Sequence, residues 1–257
     1  ASLIAKDAYL EPYQAPLRDR ISRVMAVENR LTGNGQKSLA DIADNHEYFG
    51  LHREDNGWRF REWAPNATRI YLTADITGWQ PNKSFALDRI TDNGVWEIRL
   101  SGEALKHGDL YRLHIQWPGG EGVRLPAYAR RVVQDPETLV FNAQVWEPEP
   151  YCWQCDKWPA VEVPLLIYEA HVGMAQENGR VGSFREFTDH IIPRIVASGY
   201  NALQLMAIQE HPYYGSFGYH VSSFFAVSSR FGTPEDLKRL VDTAHDAGLT
   251  VIMDIVH

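Results

Sequence analysis

Cysteine is scarce in this chain, which contains only Cys152 and Cys155. Two cysteines separated by two residues supply half of a typical structural zinc site, and no second pair completes it. A redox pair of this kind is expected at the start of a helix that follows a strand, which the nearby Pro148 and Pro150 do not favour. We therefore interpret both residues as ordinary thiols of a protein in a reducing, cytoplasmic compartment, and we expect no metal site.

Long apolar runs and clusters of positive charge are also missing. No segment is long enough to span a bilayer, and the first residues carry Lys6, Asp7 and Glu11 instead of the apolar core of a signal peptide. The 25 Lys and Arg residues are scattered and outnumbered by 33 Asp and Glu residues, which gives a net charge of −8. A nucleic acid would select a basic patch. The sequence therefore predicts neither a membrane nor a nucleic-acid partner, and it is compatible with a neutral ligand.

Aromatic residues are abundant, by contrast, with 8 Trp and 12 Tyr in 257 residues. They are concentrated in residues 211–225, HPYYGSFGYHVSSFF, which have neither helical nor strand periodicity. Such rings either pack in a core or present flat apolar faces to a ligand such as a sugar. The position of this segment, which we call the aromatic loop, has to decide between the two.

Changes in composition divide the chain into four predicted segments. An amphipathic pattern over residues 17–31 predicts a helix. Short β-branched and aromatic stretches, separated by Asn, Asp, Gly and Pro, then predict an antiparallel β-sandwich with a hairpin at its glycine-rich WPGGEG turn. The predicted segments are an amino-terminal helical segment at 1–45, the sandwich at 46–147, a proline-rich linker at 148–164 and a β/α region at 165–257.

The β/α region contains three apolar strands, predicted at residues 165–172, 201–208 and 249–256, with a helix in each gap. Strands that are apolar over their whole length are typical of parallel sheets covered by helices. No glycine-rich phosphate loop follows the first strand, whereas a long segment that includes the aromatic loop follows the second. A barrel carries its chemistry on such loops. We therefore predict the first three strands and two helices of a (β/α)₈ TIM barrel, a fold of about 250 residues that is incomplete in this chain.

The two helices of this region have recognisable end signals. Residues 183–199 carry an apolar stripe that stops at a glycine. In the second helix Thr233 is a predicted N-cap, Pro234 takes the first helical position and Asp236 completes a capping box.

Three stretches of the sequence are similar to one family. They are EWAPNATRIYLTADITGWQP at 62–81, HVGMAQENGRVGSFREFTDHIIPRI at 171–195 and the whole of 199–257. They resemble glycogen (1,4-α-glucan) branching enzymes of the α-amylase superfamily, in a match that runs from about residue 40 to the last residue. The resemblance implies a carbohydrate-binding sandwich, a catalytic barrel and a reaction that cuts an α-1,4 link of a glucan and re-forms it as an α-1,6 link. It implies no metal or organic cofactor.

The resemblance also implies a retaining double displacement, with an aspartate nucleophile and a glutamate acid–base. In the family these carboxylates follow later strands, so all of them are expected beyond His257, with no catalytic residue in this chain. We accordingly expect the chain to be the amino-terminal part of such an enzyme and inactive alone. The implied partners are an α-glucan (glycogen, amylose or a similar polymer) and the remainder of the barrel, in the same or a companion chain.

Four residues of the barrel region are predicted by the resemblance to bind substrate. Asp254 matches the aspartate of the family's first signature block and is expected to order the site. Tyr219 matches the tyrosine that stacks on the glucose at the cleavage point, and Tyr213 and Tyr214 are predicted to line the cleft. The adjacent pair 224–225, both Phe, is expected in the core.

Titratable residues near the predicted site could suggest acid–base chemistry, but nothing pairs them at a defined spacing. We interpret them as structural or rim residues, since a lone titratable group carries little weight. They are Glu169, His171, His211 and His220.

The sandwich carries the predicted carbohydrate-contacting surface. Trp63 and Pro65 lie in EWAP, Trp79 lies in TGWQP, and Trp96 follows the DNG turn. A strand tryptophan is more often a core residue than a ligand contact, so each has a packing alternative.

Two other functions stay open at this point. One is a non-enzymatic fragment that binds α-glucan through the sandwich and the aromatic loop. The other is a related debranching or trehalose-releasing enzyme of the same superfamily. The stretch EHPYYGSFGYHVSSFFAVSSRFG favours branching over that relative.

Overall fold

The computed structural model describes residues 3–155 and 163–257, in two compact units that comprise residues 1–48 and 49–257. Residues 156–162 of the predicted linker lie outside the described residues. The first unit contains the helices α1 (Leu3–Lys6), α2 (Gln14–Thr32) and α3 (Asn45–Tyr48). The predicted helix is confirmed as α2, which ends where Gly33 adopts φ +62° and its amide donates to the Asn29 carbonyl. No helix in the described part of the chain has both the length and the apolar composition to cross a bilayer.

The second unit begins with the predicted antiparallel sandwich. Its first sheet has the strand order β1-β2-β5-β4, and its second has β3-β6-β9-β8 with β7 added to β6. The predicted hairpin is confirmed, since β6 and β7 pair from Trp117 opposite Gly120. The strands are β1 (Gly50–Glu54), β2 (Gly57–Trp63), β3 (Arg69–Ala74), β4 (Asp88–Arg89), β5 (Val95–Leu100), β6 (Leu110–Trp117), β7 (Gly120–Arg124), β8 (Val132–Gln134) and β9 (Phe141–Gln144).

Alternation along the strands builds the core of the sandwich. In β2 the side chain of Phe60 is fully buried, and Leu72 and Leu113 of the second sheet are buried in the same cluster. The residues between, such as Arg61, point outward, where Arg61 pairs with Glu97 at 2.7 Å. The two inner faces therefore pack as one hydrophobic layer.

The β/α region forms a parallel sheet of three strands in the order β10-β11-β14. Each strand has four residues, fewer than predicted. The first of them is followed directly by a turn, in which the amides of Met174 and Ala175 both donate to the His171 carbonyl. Ile167 and Met253 are half exposed, so burial on both faces, which the apolar pattern predicts, is not reached. The strands of this part are β10 (Ile167–Ala170), β11 (Ala202–Leu205), β12 (Gln209–Glu210), β13 (Ser223–Val227) and β14 (Thr250–Met253).

The first predicted helix of this region is interrupted. It consists of α4 (Phe184–Glu186), a π-helical segment (Phe187–Ile191) and α5 (Ile192–Ala197). The cause is Pro193, which lacks an amide hydrogen and would clash with the carbonyl four residues earlier in a regular helix. The wider π turn, in which the Ile192 amide donates to the Phe187 carbonyl, accommodates the proline.

The second predicted helix is α6 (Pro234–Asp246), and its capping box is confirmed. The Asp236 amide donates to the Thr233 hydroxyl at 3.1 Å, and the Thr233 amide donates to the Asp236 carboxylate at 2.9 Å. Two donors at the helix start are thereby satisfied.

The capping box gives a stability prediction. We expect Thr233→Ala to lower the free energy of unfolding by about 1 kcal/mol, because it removes the acceptor of the Asp236 amide. Thr243→Ala, inside the same helix, is the matched control and should have little effect or stabilise slightly. Urea unfolding followed by circular dichroism measures both, and equal losses would contradict the capping role.

Candidate functional site

The aromatic loop leaves the carboxyl end of β11 and is closed by a short antiparallel ribbon. Gln209 of β12 pairs with Val227 of β13, and Glu210 pairs with Ser223, with an irregular register between the two pairs. The sequence did not predict these strands, since neither has an alternating pattern. The ribbon holds the ends of the loop together at the carboxyl end of the parallel sheet, where barrels carry their functional residues.

The carboxylate of Glu210 is the centre of this closure. It is fully buried, and each oxygen accepts hydrogen bonds from the chain that returns from the loop. Oε1 accepts from the Ser228 hydroxyl at 3.0 Å, and Oε2 accepts from the amide and the hydroxyl of Ser229 at 2.8 and 2.9 Å. Sequence reasoning missed Glu210, although a carboxylate inside a buried stretch is a signal, because such a group needs several donors.

Arg230 compensates the buried charge and connects the loop to the sandwich. Its Nη1 lies 3.3 Å from Glu210 Oε1 and also donates to the His211 carbonyl. Its Nη2 donates to the Pro212 carbonyl at 2.9 Å and to Gln134 of β8 at 3.5 Å. One guanidinium therefore fixes the start of the loop against its end and against the sandwich.

The predicted site residues Tyr219 and Asp254 lie together. The Tyr219 hydroxyl donates to Asp254 Oδ2 at 2.8 Å, at the carboxyl end of β14. This hydrogen bond, followed by partial burial and the negative charges of Asp254 and Glu169, raises the pKa of Tyr219 to about 12. The residue is 40% exposed, so its hydroxyl is held by Asp254 while part of the side chain remains accessible to a ligand.

The glycine before Tyr219 is required by a close approach. Gly218 has φ +91°, and a Cβ atom there would lie 2.1 Å from the Ala207 carbonyl oxygen. Any other residue would push the loop away from the end of β11. The GY step therefore places the Tyr219 ring where Asp254 can reach it.

The other two predicted tyrosines lie apart from this pair. Tyr213 is 65% exposed, and its hydroxyl lies over Gly215, where a Cβ atom would be only 2.5 Å away. Tyr214 is half-buried against His171, and with Phe217 it lines a cleft of about 500 Å³ next to the segment after β10. Their roles in substrate binding stay predictions.

The expectation that Phe224 and Phe225 are core residues is wrong. They are 50% and 47% exposed, whereas the neighbouring Ala226 is buried. The irregular register of β12 and β13 is the reason, because it leaves residues 224–226 bulged between the two paired positions. Phe225 instead stacks on Tyr128 of the sandwich, with ring centroids 4.5 Å apart.

The connection between sandwich and β/α region continues beyond these rings. Tyr128 also stacks on Phe49 at 5.1 Å, and the buried Arg131 donates to the Gly232 carbonyl at 3.0 Å. Trp146 donates to Glu235 of α6 at 2.9 Å. The two parts are thus joined by packed rings and part-buried hydrogen bonds.

Two of the titratable residues are buried, which agrees with their structural interpretation. His171 is 7% exposed, with the rings of Tyr214, Phe217 and Phe231 edge-on around it at 5.5 to 5.9 Å. Burial, and then the nearby His211, hold the pKa of His171 below its usual value. His211 is fully buried and its Nδ1 donates to the Gln209 carbonyl at 2.9 Å.

The other two of these residues are exposed. Glu169 accepts a hydrogen bond from Gln204 at 2.9 Å, and His220 lies at the surface of the aromatic loop. The charge of Glu169 contributes to the raised pKa of Tyr219, whose hydroxyl donates to Asp254. In the described ranges, no three His, Cys, Asp or Glu side chains converge in a way that could hold a metal ion.

The four residues of the predicted sandwich surface differ in their exposure. Trp63 is 56% exposed and donates to the Asn93 carbonyl at 2.9 Å, and Pro65 beside it is also exposed. Trp79 is half-buried, with its indole nitrogen 2.6 Å from Asp75 and the Arg112 guanidinium over its ring.

Trp96 does not belong to this surface, and the prediction is wrong for it. It is only 5% exposed, because it points inward on β5 opposite Glu62 of β2. Its indole nitrogen donates to the Ala64 carbonyl at 3.0 Å. Trp96 therefore supports, from beneath, the segment that carries Trp63 and Pro65.

Comparison with known proteins shows which families the two parts of this chain resemble. Residues 48–129 match the family model for carbohydrate-binding module 48 (isoamylase N-terminal domain), and residues 177–257 match that for the alpha amylase catalytic domain. Two solved structures share the fold with a TM-score of 0.65: a putative alpha amylase from Salmonella typhimurium, 23% identical over 80% of this chain and 32% of its own, and a pullulanase from Bacillus acidopullulyticus, 22% identical over 81% and 29%.

In these two parts the chain is similar to the α-amylase superfamily: one part matches a carbohydrate-binding module, and the part after it matches an alpha amylase catalytic domain. Within that superfamily it is similar to the 1,4-alpha-glucan-branching enzymes, which confirms the resemblance seen in the sequence. The enzyme of Yarrowia lipolytica is 42% identical over 98% of this chain, that of Dictyostelium discoideum 39% over 99%, and that of Solanum tuberosum 41% over 99%. The chain spans 37%, 38% and 30% of these relatives.

The Tyr219–Asp254 hydrogen bond gives a titration prediction. In the wild-type protein we expect the Tyr219 phenol to stay protonated up to about pH 11, because its pKa is raised to about 12. Asp254→Asn removes the charge that opposes the phenolate, so the pKa should fall toward about 10. Tyrosine labelled with ¹³C at Cζ, titrated between pH 9 and 11.5, measures this. The control Tyr213→Phe should leave the Tyr219 signal unmoved, and a wild-type pKa near 10 would contradict the pairing.

The burial of His171 gives a stability prediction. The folded protein holds the pKa of His171 below its usual value, so below about pH 6.5 the unfolded chain binds protons that the folded one does not. Stability should be fully present above that pH and fall as the pH drops below it. We expect the free energy of unfolding, measured with urea, to differ less between pH 7.5 and pH 5.5 in His171→Phe than in the wild type. The exposed His220→Gln should keep the wild-type difference, and equal differences in all three proteins would refute the assignment.

Proposed function

We propose that this chain provides the glucan-binding module and part of the substrate cleft of a 1,4-α-glucan branching enzyme. The single observation that carries the proposal is the Tyr219–Asp254 pair at the carboxyl end of β14, in which the Tyr219 hydroxyl lies 2.8 Å from Asp254 Oδ2 and the tyrosine is 40% exposed. It lies on the face where barrels bind substrate. The similarity to branching enzymes over nearly the whole chain supports it.

An α-glucan suits the chemistry of both surfaces. Sugar rings have flat apolar faces edged by hydroxyl groups, and an aromatic ring in a fixed orientation matches them. Trp63 and Tyr219 are exposed, and each has its polar atom already bonded to the protein. Their orientation is therefore set before a ligand arrives, which reduces the entropy lost on binding.

In the proposed reaction, a carboxylate outside this chain displaces the glycosidic oxygen of an α-1,4 link and forms a glycosyl ester. The cleaved glucan leaves with a proton from the acid–base carboxyl group. The 6-hydroxyl of a second glucan then attacks the anomeric carbon of the ester and gives up its proton to the same group; the α-1,6 link forms as the ester bond breaks and the first carboxylate leaves. In this chain Tyr219 would hold the glucose ring at the cleavage point, and Asp254 would hold Tyr219.

We further propose that the remaining strands of a barrel cover the open parts of the parallel sheet. Leu166, Ile167, Met253 and Ile255 are large apolar residues that are 43–58% exposed around β10 and β14. Contiguous apolar surface and unpaired strand edges are typical of surfaces that another segment covers.

A debranching activity is the second candidate, since pullulanases are among the proteins that share the fold. Those structures are 21–22% identical, which supports the fold alone, whereas the branching enzymes are 37–42% identical. A non-enzymatic glucan binder remains the third. The loop and the relatives together favour branching.

The test of glucan binding is direct. We expect the protein to bind maltoheptaose, and Trp63→Ala to weaken binding about ten-fold, since a central aromatic contact is worth more than about 1 kcal/mol. Trp153→Ala removes another exposed tryptophan, 45% exposed and outside the proposed surface, and serves as the control. Isothermal titration calorimetry measures both. Equal affinities of the two variants for maltoheptaose would show that Trp63 does not contribute to binding. A wild-type protein that does not bind maltoheptaose would refute the proposal that the ligand is a glucan.

A further inference from the structure

The side chain of Gln209 joins two segments that meet at the site. It is 6% exposed, and its Nε2 donates to the Phe224 carbonyl at 3.0 Å. Its Oε1 accepts from the Val256 amide at 3.1 Å. Phe224 lies in the bulge of the return strand β13, and Val256 comes two residues after Asp254. One buried amide group therefore spans the aromatic loop and the end of β14.

The chemistry of this contact is selective for glutamine. The carbonyl of Phe224 requires a donor and the amide of Val256 requires an acceptor, and a primary amide offers both at a fixed separation. Asparagine is too short to keep both bonds from the same backbone. A carboxylate would place an acceptor against the Phe224 carbonyl.

The Tyr219–Asp254 hydrogen bond connects the same two segments at the surface. Tyr219 lies between β12 and β13, and Asp254 lies two residues before the amide that Gln209 holds. The exposed hydrogen bond of 2.8 Å competes with water, and the part-buried bonds of the Gln209 amide compete with it less. The buried connection thus sets the separation at which the exposed one forms.

We propose that Gln209 is a positioning residue for Tyr219 and Asp254. By holding the return strand of the aromatic loop to the end of β14, its amide keeps the Tyr219 hydroxyl within reach of the Asp254 carboxylate and so fixes the pose of the ring. The ligand of that ring, an α-glucan, rests on the proposed function, but the pairing itself does not.

The first experiment reads the pair directly by NMR of tyrosine labelled with ¹³C at Cζ. Tyr219→Phe assigns the signal, and Asp254→Asn gives its position when the pair is broken. We expect Gln209→Leu to move the Tyr219 signal most of the way to that position. The matched control is Gln144→Leu, because Gln144 also uses both halves of its amide, with Arg131 at 3.0 Å and the Gly108 carbonyl at 2.9 Å, inside the sandwich. An unmoved Tyr219 signal in folded Gln209→Leu, or an equal shift in the control, would overturn the proposal.

A second variant separates positioning from filling of space and serves if Gln209→Leu does not fold. Gln209→Glu has the same size, keeps an acceptor for Val256 and loses the donor to Phe224. At pH 8 we expect the Tyr219 signal to differ from that of the wild type. At low pH, where the introduced carboxyl is protonated and can donate, we expect it to match the wild-type signal recorded at the same pH, a comparison that removes the effect of protonating Asp254. A wild-type Tyr219 signal for Gln209→Glu across the whole pH range would show that only side-chain volume matters, and it would contradict the positioning role of the Gln209 amide.

The third measurement separates this proposal from the proposed function. Maltoheptaose added to the wild type should move the Tyr219 signal, and Gln209→Leu should require about five-fold more ligand for the same shift. If the wild-type signal does not move, glucan binding at Tyr219 fails while the two experiments above still test the pairing. If both proteins respond at equal concentration, Gln209 does not set the pose of the ring.

Discussion

The burial of one negative charge organises the functional face of this protein. The carboxylate of Glu210 has no contact with solvent, so the chain around it must supply donors. Ser228, Ser229 and Arg230 supply them from the far end of the aromatic loop. Without these donors the charge would be uncompensated, at a cost of several kcal/mol. The closed form of the loop, and with it the location of Tyr219, follows from this requirement.

Rigidity in the loop is reached without long strands or helices. Glu210 and Gln209 are neighbours that bind different partners. Glu210 binds the segment that follows the aromatic loop, whereas Gln209 binds both β13 and the end of β14. Backbone constraints add to this, since Gly218 has a positive φ and passes close to the Ala207 carbonyl. The rings can therefore remain exposed in defined positions, because hydrogen bonds beneath them do the ordering that a packed core does elsewhere.

Local signals in the sequence predicted a large part of the fold. The Thr233 cap, the turn after Trp117 and the helix predicted at residues 17–31 depend on neighbouring residues, and all three are found. The resemblance selected both Tyr219 and Asp254, which the structure brings together. The predictions that were wrong concern features that depend on residues distant in the sequence. The face that Trp96 takes is set by pairing with β2, and the exposure of Phe224 is set by a bulge that no local pattern indicates. Gln209 and Glu210 were missed because, apart from the His211 amide, the partners of their side chains lie 15 or more residues away along the chain.

The rigid connection between the sandwich and the β/α region has a consequence for the avidity of glucan binding. Stacked rings at Tyr128 and Phe225, and the buried Arg131, join the two parts where many multidomain proteins have a flexible tether. For tethered modules the effective concentration of a bound polymer at the second site depends on linker length. In this protein the effective concentration depends on fixed geometry. A glucan bound at Trp63 would therefore reach Tyr219 over a constant distance and in a constant direction. Glucans too short to span that distance would gain nothing from the second contact.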